Sequence, residues 1–138
     1  MDFEGVAQDI YPDAEFGFGV WNYQPIINYF GEVLVQVDDG GYQGDSRVLL
    51  RDNEKYGILI FGWGSCSGCD ALQACRSYQD IDELIGKLAN KMKWFDTAEE
   101  CLRYVENKDW EREWHWHVGN TKHFVEEVKE YLKEANNE

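Results

Sequence analysis

The sequence is poor in basic residues. Its 138 residues include 13 Lys and Arg against 27 Asp and Glu, which gives a formal net charge of -14. Proteins that bind DNA or RNA place Lys and Arg against phosphates, so this balance argues against direct contact with nucleic acid. An acidic surface keeps a protein in solution. It also lets a protein occupy the basic groove of a nucleic-acid enzyme, because complementary potentials speed association.

The sequence also lacks the apolar segments that export and membrane insertion require. Residues 1–11 contain three acidic residues and no basic residue, unlike the start of a secretory signal. No apolar run approaches the roughly 20 residues of a membrane-spanning helix. We therefore expect a cytoplasmic protein without membrane contact, whose four cysteines are reduced and more suited to metal sites or free thiols than to disulfides.

What the sequence does contain is enough apolar material for a folded core. Hydrophobic residues make up 43% of the chain and aromatic residues 15%, which is too apolar for a disordered acidic tail. The length is that of one domain, and no repeat, linker or low-complexity tract divides it. We therefore predict a single domain over residues 1–138.

Three apolar runs predict an antiparallel meander. The β-branched run 32–37 is followed by the turn-forming cluster Asp38-Asp39-Gly40-Gly41, and the runs 47–51 and 56–61 are separated by the turn-forming residues 52–55. Residues 113–118 alternate between apolar and polar side chains, which predicts a further half-buried strand. Residues 1–30 show no clean period, and we interpret them as an irregular aromatic segment that packs on the core.

Three helices are predicted from caps and apolar spacing. One begins near Ser77 and repeats apolar residues at helical spacing as far as Met92. A second begins at the capping box 97–100 and ends near Asn107. A third, acidic and amphipathic, follows residues 119–121. The chain is therefore predicted to be an α+β fold with an antiparallel sheet of three to four strands and about three helices.

The segment 62–75, with the sequence GWGSCSGCDALQAC, carries most of the chemistry. Cys66 and Cys69 can face one ion across a tight turn, and the glycines between residues 62 and 68 let the backbone curl around it. Cys75 can join them only if residues 69–75 are not one regular helix, since six helical residues span ~9 Å along the axis. His117 supplies a fourth ligand, with His115 beside it on the same side of the predicted strand.

Other interpretations of the cysteines stay open. Thioredoxin-like proteins also present a reactive cysteine pair in the order strand, tryptophan, C-x-x-C and helix. This chain lacks the βαβ context of those proteins and their downstream proline. The three loop cysteines could instead be buried residues that close the loop, as Cys101 is expected to be in a helix. A catalytic pair of Cys66 and His117 is conceivable, but nothing in the sequence shows that they meet.

Residues 42–52, 56–57 and 62–75 together resemble a family of small acidic phage and prophage proteins. The resemblance covers about residues 42–95, with a fainter echo at 110–116. It implies a phage or mobile-element source, with Cys66, Cys69 and Cys75 acting as a unit. The histidines at 115 and 117 are not part of the shared pattern.

Small acidic phage proteins without an enzymatic motif are often inhibitors of host defence, and anti-CRISPR proteins that block Cas9 are similar in size and charge. By this analogy we expect a binding protein that occupies the basic cleft of a host nucleic-acid-handling enzyme, such as a Cas9-type nuclease. Its zinc would be structural, because four protein ligands leave no coordination position on the ion for a substrate. The alternatives are a thiol oxidoreductase or metal-dependent enzyme that uses Cys66 and Cys69, and a phage structural or assembly protein.

Overall fold

An antiparallel sheet with helices on both faces organises the chain. The computed structural model describes residues 3–17, 19–64, 70–110 and 118–137. The described part contains five helices, of which four have seven or more residues. In chain order the elements are α1 (Val6–Ile10), α2 (Gln24–Phe30), β1 (Glu32–Asp38), β2 (Gly44–Asp52), β3 (Lys55–Trp63), α3 (Tyr78–Lys91), β4 (Lys93–Phe95), α4 (Ala98–Asn107) and α5 (Val118–Asn136).

The predicted meander is confirmed. The strand order is β1-β2-β3-β4, and each neighbouring pair is antiparallel. Asp52 pairs with Lys55 across a two-residue turn in which Asn53 has a φ of 57°. Asparagine tolerates this left-handed conformation, so the turn-forming residues 52–55 set the register of the central hairpin.

The alternation of side chains along the strands builds two cores. Val48, Leu50, Leu59 and Phe61 face α1, α2 and α3, whereas Leu49 and Ile58 face α4 and α5. The helices contribute these buried apolar residues: Ile26, Ile27, Ile81, Ile85 and Leu88 to the first core, and Cys101, Val105, Phe124, Val128 and Leu132 to the second. Cys101 is therefore a core residue, as the sequence predicted.

Capping side chains fix the starts of α3 and α4. Ser77 Oγ accepts a hydrogen bond from the amide of Asp80 at 3.2 Å, and Thr97 Oγ1 accepts one from the amide of Glu100 at 3.1 Å. Each bond satisfies an amide that has no partner inside the helix. The bounds of both helices follow the sequence prediction closely.

The prediction of an irregular start was wrong, because the segment contains α1 and α2. The carboxylate that caps α1 comes from α3: Asp82 accepts hydrogen bonds from the amides of Gly5 at 3.0 Å and Ala7 at 2.7 Å. A cap 75 or more residues away leaves no local sequence signal. Pro25 lies in the first turn of α2, where its fixed φ suits a helix start.

The fourth strand of the sheet is a segment that the sequence analysis did not single out. β4 has three residues and pairs with residues 56–58 of β3. The strand predicted over 113–118 lies outside the described residues except for Val118, which begins α5. Three residues are too few for an alternating pattern to be recognised in the sequence.

A buried ion pair fixes α5 to one end of the sheet. Asp39 Oδ1 accepts hydrogen bonds from Arg47 Nη1 at 2.8 Å and from Asn120 Nδ2 at 2.9 Å, and its Oδ2 accepts one from the amide of Asp45 at 2.8 Å. Arg47 Nε donates to Thr121 Oγ1 at 3.1 Å. Burial alone would raise the pKa of Asp39, but the hydrogen bonds that it accepts outweigh burial and lower the pKa. The stability that this ionised carboxyl contributes is lost as the pH falls through its depressed pKa.

We predict that Arg47→Met destabilises the protein by about 3–5 kcal/mol, because it leaves the Asp39 carboxylate buried without its cation. Urea unfolding measures the change. Arg103→Ala is the matched control: its side chain is 67% exposed and pairs with Glu99 on the surface of α4. We expect a loss below about 1 kcal/mol there. Equal effects of the two substitutions would contradict the role of the buried pair.

Candidate functional site

Of the four predicted zinc ligands, Cys75 lies within the described residues. Cys66, Cys69 and His117 lie outside them, as do His115 and the remainder of the predicted strand. Within the described ranges, no three or more His, Cys, Asp or Glu side chains form a group that could hold a metal ion. The zinc site therefore stays a prediction.

Cys75 is a buried thiol at the end of a series of turns. Residues 71–74 form a turn, in which the amide of Ala74 donates to the carbonyl of Asp70, and the amide of Cys75 donates to the carbonyl of Leu72. Residues 70–75 are therefore not one regular helix. Cys75 Sγ lies 3.4 Å from the carbonyl oxygen of Ala71, to which it donates. Burial raises the pKa of this thiol to about 11, so a zinc ion would have to displace its proton.

Asp70 joins the two ends of the cysteine loop, residues 65–69. Its Oδ1 accepts hydrogen bonds from the amide of Gly64 at 3.0 Å and from the hydroxyl of Tyr23 at 2.9 Å, and its Oδ2 accepts one from the amide of Gln73 at 3.0 Å. Gln73 Nε2 in turn donates to the carbonyl of Gly64 at 3.0 Å. These bonds hold both flanks of the loop in one place.

Tyr23 connects this arrangement to the first core. Its hydroxyl donates to Asp70 and accepts from the amide of Leu72 at 3.1 Å, and its ring centroid lies 4.8 Å from that of Phe61. Burial raises the pKa of Tyr23 above its ordinary value. The hydroxyl is therefore neutral and bonded on both sides, which suits support of the loop rather than proton transfer.

A cleft of about 560 Å³ opens directly beside these bonds, within the roughly 300–1,000 Å³ typical of ligand sites. We call it the aromatic cleft. It lies at the end of the sheet where β1 and β3 end, between the start of α2 and the turn after β1. Its lining residues are Trp21, Asn22, Tyr23, Gln24, Ile27, Gln36, Asp38, Asp39, Gly41, Tyr42, Ser46, Trp63, Gly64 and Gln73.

Two large aromatic side chains of the aromatic cleft face solvent. Trp21 is 73% exposed and Tyr42 is 84% exposed. Aromatic rings this exposed that share one cleft are a common feature of binding surfaces. Trp63, by contrast, is only partly exposed, and its Nε1 donates to Ser46 Oγ at 3.0 Å.

The polar groups of the aromatic cleft bind mainly to each other. Gln24 and Gln36 exchange hydrogen bonds through their amide groups at 3.0 and 2.9 Å. Gln24 Nε2 also donates to Asn28, and Gln36 Nε2 donates to both carboxylate oxygens of Asp38 at 3.2 and 3.0 Å. These amide donors are thus occupied, while the exposed carboxylate of Asp38 keeps unused acceptor sites.

The charge of the aromatic cleft has one sign. Its described lining contains Asp38 and Asp39 and no Lys or Arg. Asp39 is neutralised by Arg47, so Asp38 is the carboxylate left to face a ligand. Acceptors, a negative charge and aromatic faces together favour a cation.

Part of this site was predictable from the sequence. Trp63 and Gly64 belong to the segment 62–75, and Asp38 and Asp39 belong to the turn predicted after the first strand. Trp21 and the two glutamines were missed. They meet only because α2 packs beside β1, and amide pairs between an α-helix and a strand leave no periodic signal.

No family model, curated protein or solved structure matches this chain. The described residues define an α+β protein with helices on both faces of an antiparallel sheet. Within the described ranges, no helix has the length and apolar content to cross a membrane. We therefore infer the function from the aromatic cleft and from the charge of the chain.

We predict that Asp70→Asn destabilises the protein by about 1–3 kcal/mol, because the new amide places a donor against one of the three donors that Asp70 now binds. Urea unfolding measures the loss, and hydrogen exchange at the amide of Gly64 should become faster. Asp13→Asn removes the same charge from an exposed site and should leave the free energy of unfolding and the exchange rate at Gly64 unchanged. Unaltered exchange at Gly64 in the Asp70 variant would contradict the joining role of this carboxylate.

Proposed function

We propose that the protein is a binding protein that recognises a basic partner protein through the aromatic cleft and the acidic surface around it. The observation that carries this proposal is the cleft itself: two exposed aromatic rings and a free carboxylate, with no basic residue in its described lining. The net charge of -14 supports the same class of partner, because it attracts basic surfaces at long range.

The state of the ionisable groups near the cleft favours binding over catalysis. Asp70 and Tyr23 are bonded to each other and to backbone amides, and Asp39 is held by Arg47. Cys75 is kept protonated by burial. A general base or nucleophile needs an open approach to its substrate, whereas these four groups are buried and already bonded.

The partner that we propose is a nucleic-acid-handling enzyme of a phage host, such as a Cas9-type nuclease in the host cytoplasm. Such enzymes hold nucleic acid in a positively charged channel. A compact acidic protein can enter that channel and exclude DNA or RNA. The support is the charge of this chain and its resemblance to small acidic phage proteins.

We also propose that a structural zinc ion holds the cysteine loop through Cys66, Cys69, Cys75 and His117. The described flanks support this arrangement. Gly64 follows Trp63, the last residue of β3, which pairs with Gly44 of β2. On the other side, Asn120 of α5 donates to Asp39, and Asp39 also accepts a hydrogen bond from the amide of Asp45, the residue after Gly44. The residues that precede the cysteine loop and those that follow His117 therefore meet the same end of the sheet.

Purified protein should contain about one zinc ion per chain if this site forms. Cys66→Ser and Cys69→Ser should each abolish zinc binding, and His117→Ala should weaken it. Cys101→Ser, in the core on the other face of the sheet, should retain the metal. Metal analysis and thiol titration before and after chelation measure these outcomes. A metal-free chain whose Cys66 and Cys69 oxidise reversibly to a disulfide would instead favour the thiol oxidoreductase.

Binding to a Cas9-type nuclease should weaken steeply as salt concentration rises, because carboxylates carry part of the attraction. Trp21→Ala and Tyr42→Ala should each weaken it by about tenfold or more, as central aromatic residues of interfaces do. Trp94→Ala is the matched control: this tryptophan is 39% exposed but lines a separate cavity with Tyr29 and Met92. We expect a change below about twofold there.

Competition identifies the surface of the partner that is used. If the protein occupies the nucleic-acid channel, the nuclease loaded with guide RNA and target DNA should bind it far more weakly than the free nuclease. Equal affinity for both forms, or an equal effect of the Trp94 and Trp21 substitutions, would contradict the proposal.

A further inference from the structure

We infer that the aromatic cleft binds the guanidinium group of an arginine side chain. This inference rests on the proposed function and names the group on the partner that the cleft takes. It follows from the hydrogen-bonding state of the cleft, from the exposed rings of Trp21 and Tyr42 and from the position of the Asp38 carboxylate, which Gln36 fixes.

The hydrogen-bonding state of the two glutamines disfavours an anion. An anion requires several donors from the protein, but the amide hydrogens of Gln24 and Gln36 are already bonded within the cleft. The indole of Trp63 donates to Ser46, and one amide hydrogen of Gln73 is bound by Gly64. The described lining contains no Lys or Arg to add a charged donor. A ligand that supplies several donors of its own is therefore favoured.

The carboxylate of Asp38 is held in place before any ligand arrives. Both of its oxygens accept from Gln36 Nε2, and Gln36 is itself fixed by the paired amide of Gln24. A carboxylate has about four lone-pair sites, so the outer side of each Asp38 oxygen can still accept a hydrogen bond. A guanidinium group carries five N–H donors in one plane, so it can donate to one of these oxygens and still reach a neighbouring acceptor.

The exposed rings distinguish arginine from lysine. Trp21 and Tyr42 line the same cleft as Asp38. A planar guanidinium can stack on an aromatic face while its edge binds a carboxylate, whereas an ammonium group is a compact and strongly hydrated charge. The combination of rings and a fixed acceptor therefore suits arginine better.

Short peptides test this inference with the full protein. Acetyl-Gly-Arg-Gly-amide is titrated against the protein, with the lysine peptide and the uncharged citrulline peptide as matched probes of similar size. We expect the arginine peptide to shift the indole resonance of Trp21 and the side-chain amide resonance of Gln36. The lysine and citrulline peptides should bind at least about tenfold more weakly.

Asp38→Asn should weaken the arginine peptide by about tenfold or more and leave the citrulline peptide within about twofold. Asp13→Asn, which lies outside the cleft, should change neither. Asp38 is exposed, so its variant should keep the urea midpoint of the parent protein. Equal binding of the arginine and citrulline peptides, preferential binding of a neutral oligosaccharide at Trp21, or an unaffected Asp38 variant would each overturn the inference.

The outcomes for the peptide and for the partner can be told apart. If arginine peptides do not bind but Trp21→Ala still weakens a basic protein partner, the inference fails and the proposed function stands. If arginine peptides bind as expected but basic proteins do not compete with them, the proposed function fails and the guanidinium site stands.

Discussion

The rest of the structure depends on one buried carboxylate. Asp39 directly follows β1, and it can stay ionised inside the protein because Arg47, Asn120 and the amide of Asp45 all donate to it. An unpaired charge at this depth would cost several kcal/mol. The bonds that prevent this cost also join β1 to β2 and α5 to the sheet. They shape the end of the sheet on which the aromatic cleft and both flanks of the cysteine loop lie.

Much of the cysteine motif is explained by this architecture without any metal. Gly64 is bonded through both its amide and its carbonyl, Asp70 accepts three hydrogen bonds, and Gln73 closes the loop from its far side. Leu72 fills the first core. In the motif GWGSCSGCDALQAC, Gly64, Asp70 and Gln73 therefore fix the two flanks to each other, and the motif residues 65–69 lie between those flanks in the sequence. The tryptophan, the second glycine and the glutamine also line the cleft, so one short segment serves both features.

The sequence predicted those parts of the structure that local rules determine. Strands β1 to β3 follow from β-branched runs and a turn, and α3 and α4 follow from Ser77 and Thr97. Helix α1 was missed because its cap, Asp82, comes from a distant helix, and β4 because three residues show no pattern. The cleft was only partly foreseen, since its walls come from segments that meet through packing alone. The ligands Cys66, Cys69 and His117 lie outside the described residues, so their prediction is not decided by the fold.

The closure of the cysteine loop by Asp70 and Gln73 has a consequence for how such proteins can diversify. Because the two ends are fastened to each other and to the core, the strand before them and the turns after them are held by bonds that do not involve residues 65–69. The flanks can therefore keep their places while the residues between them change in composition.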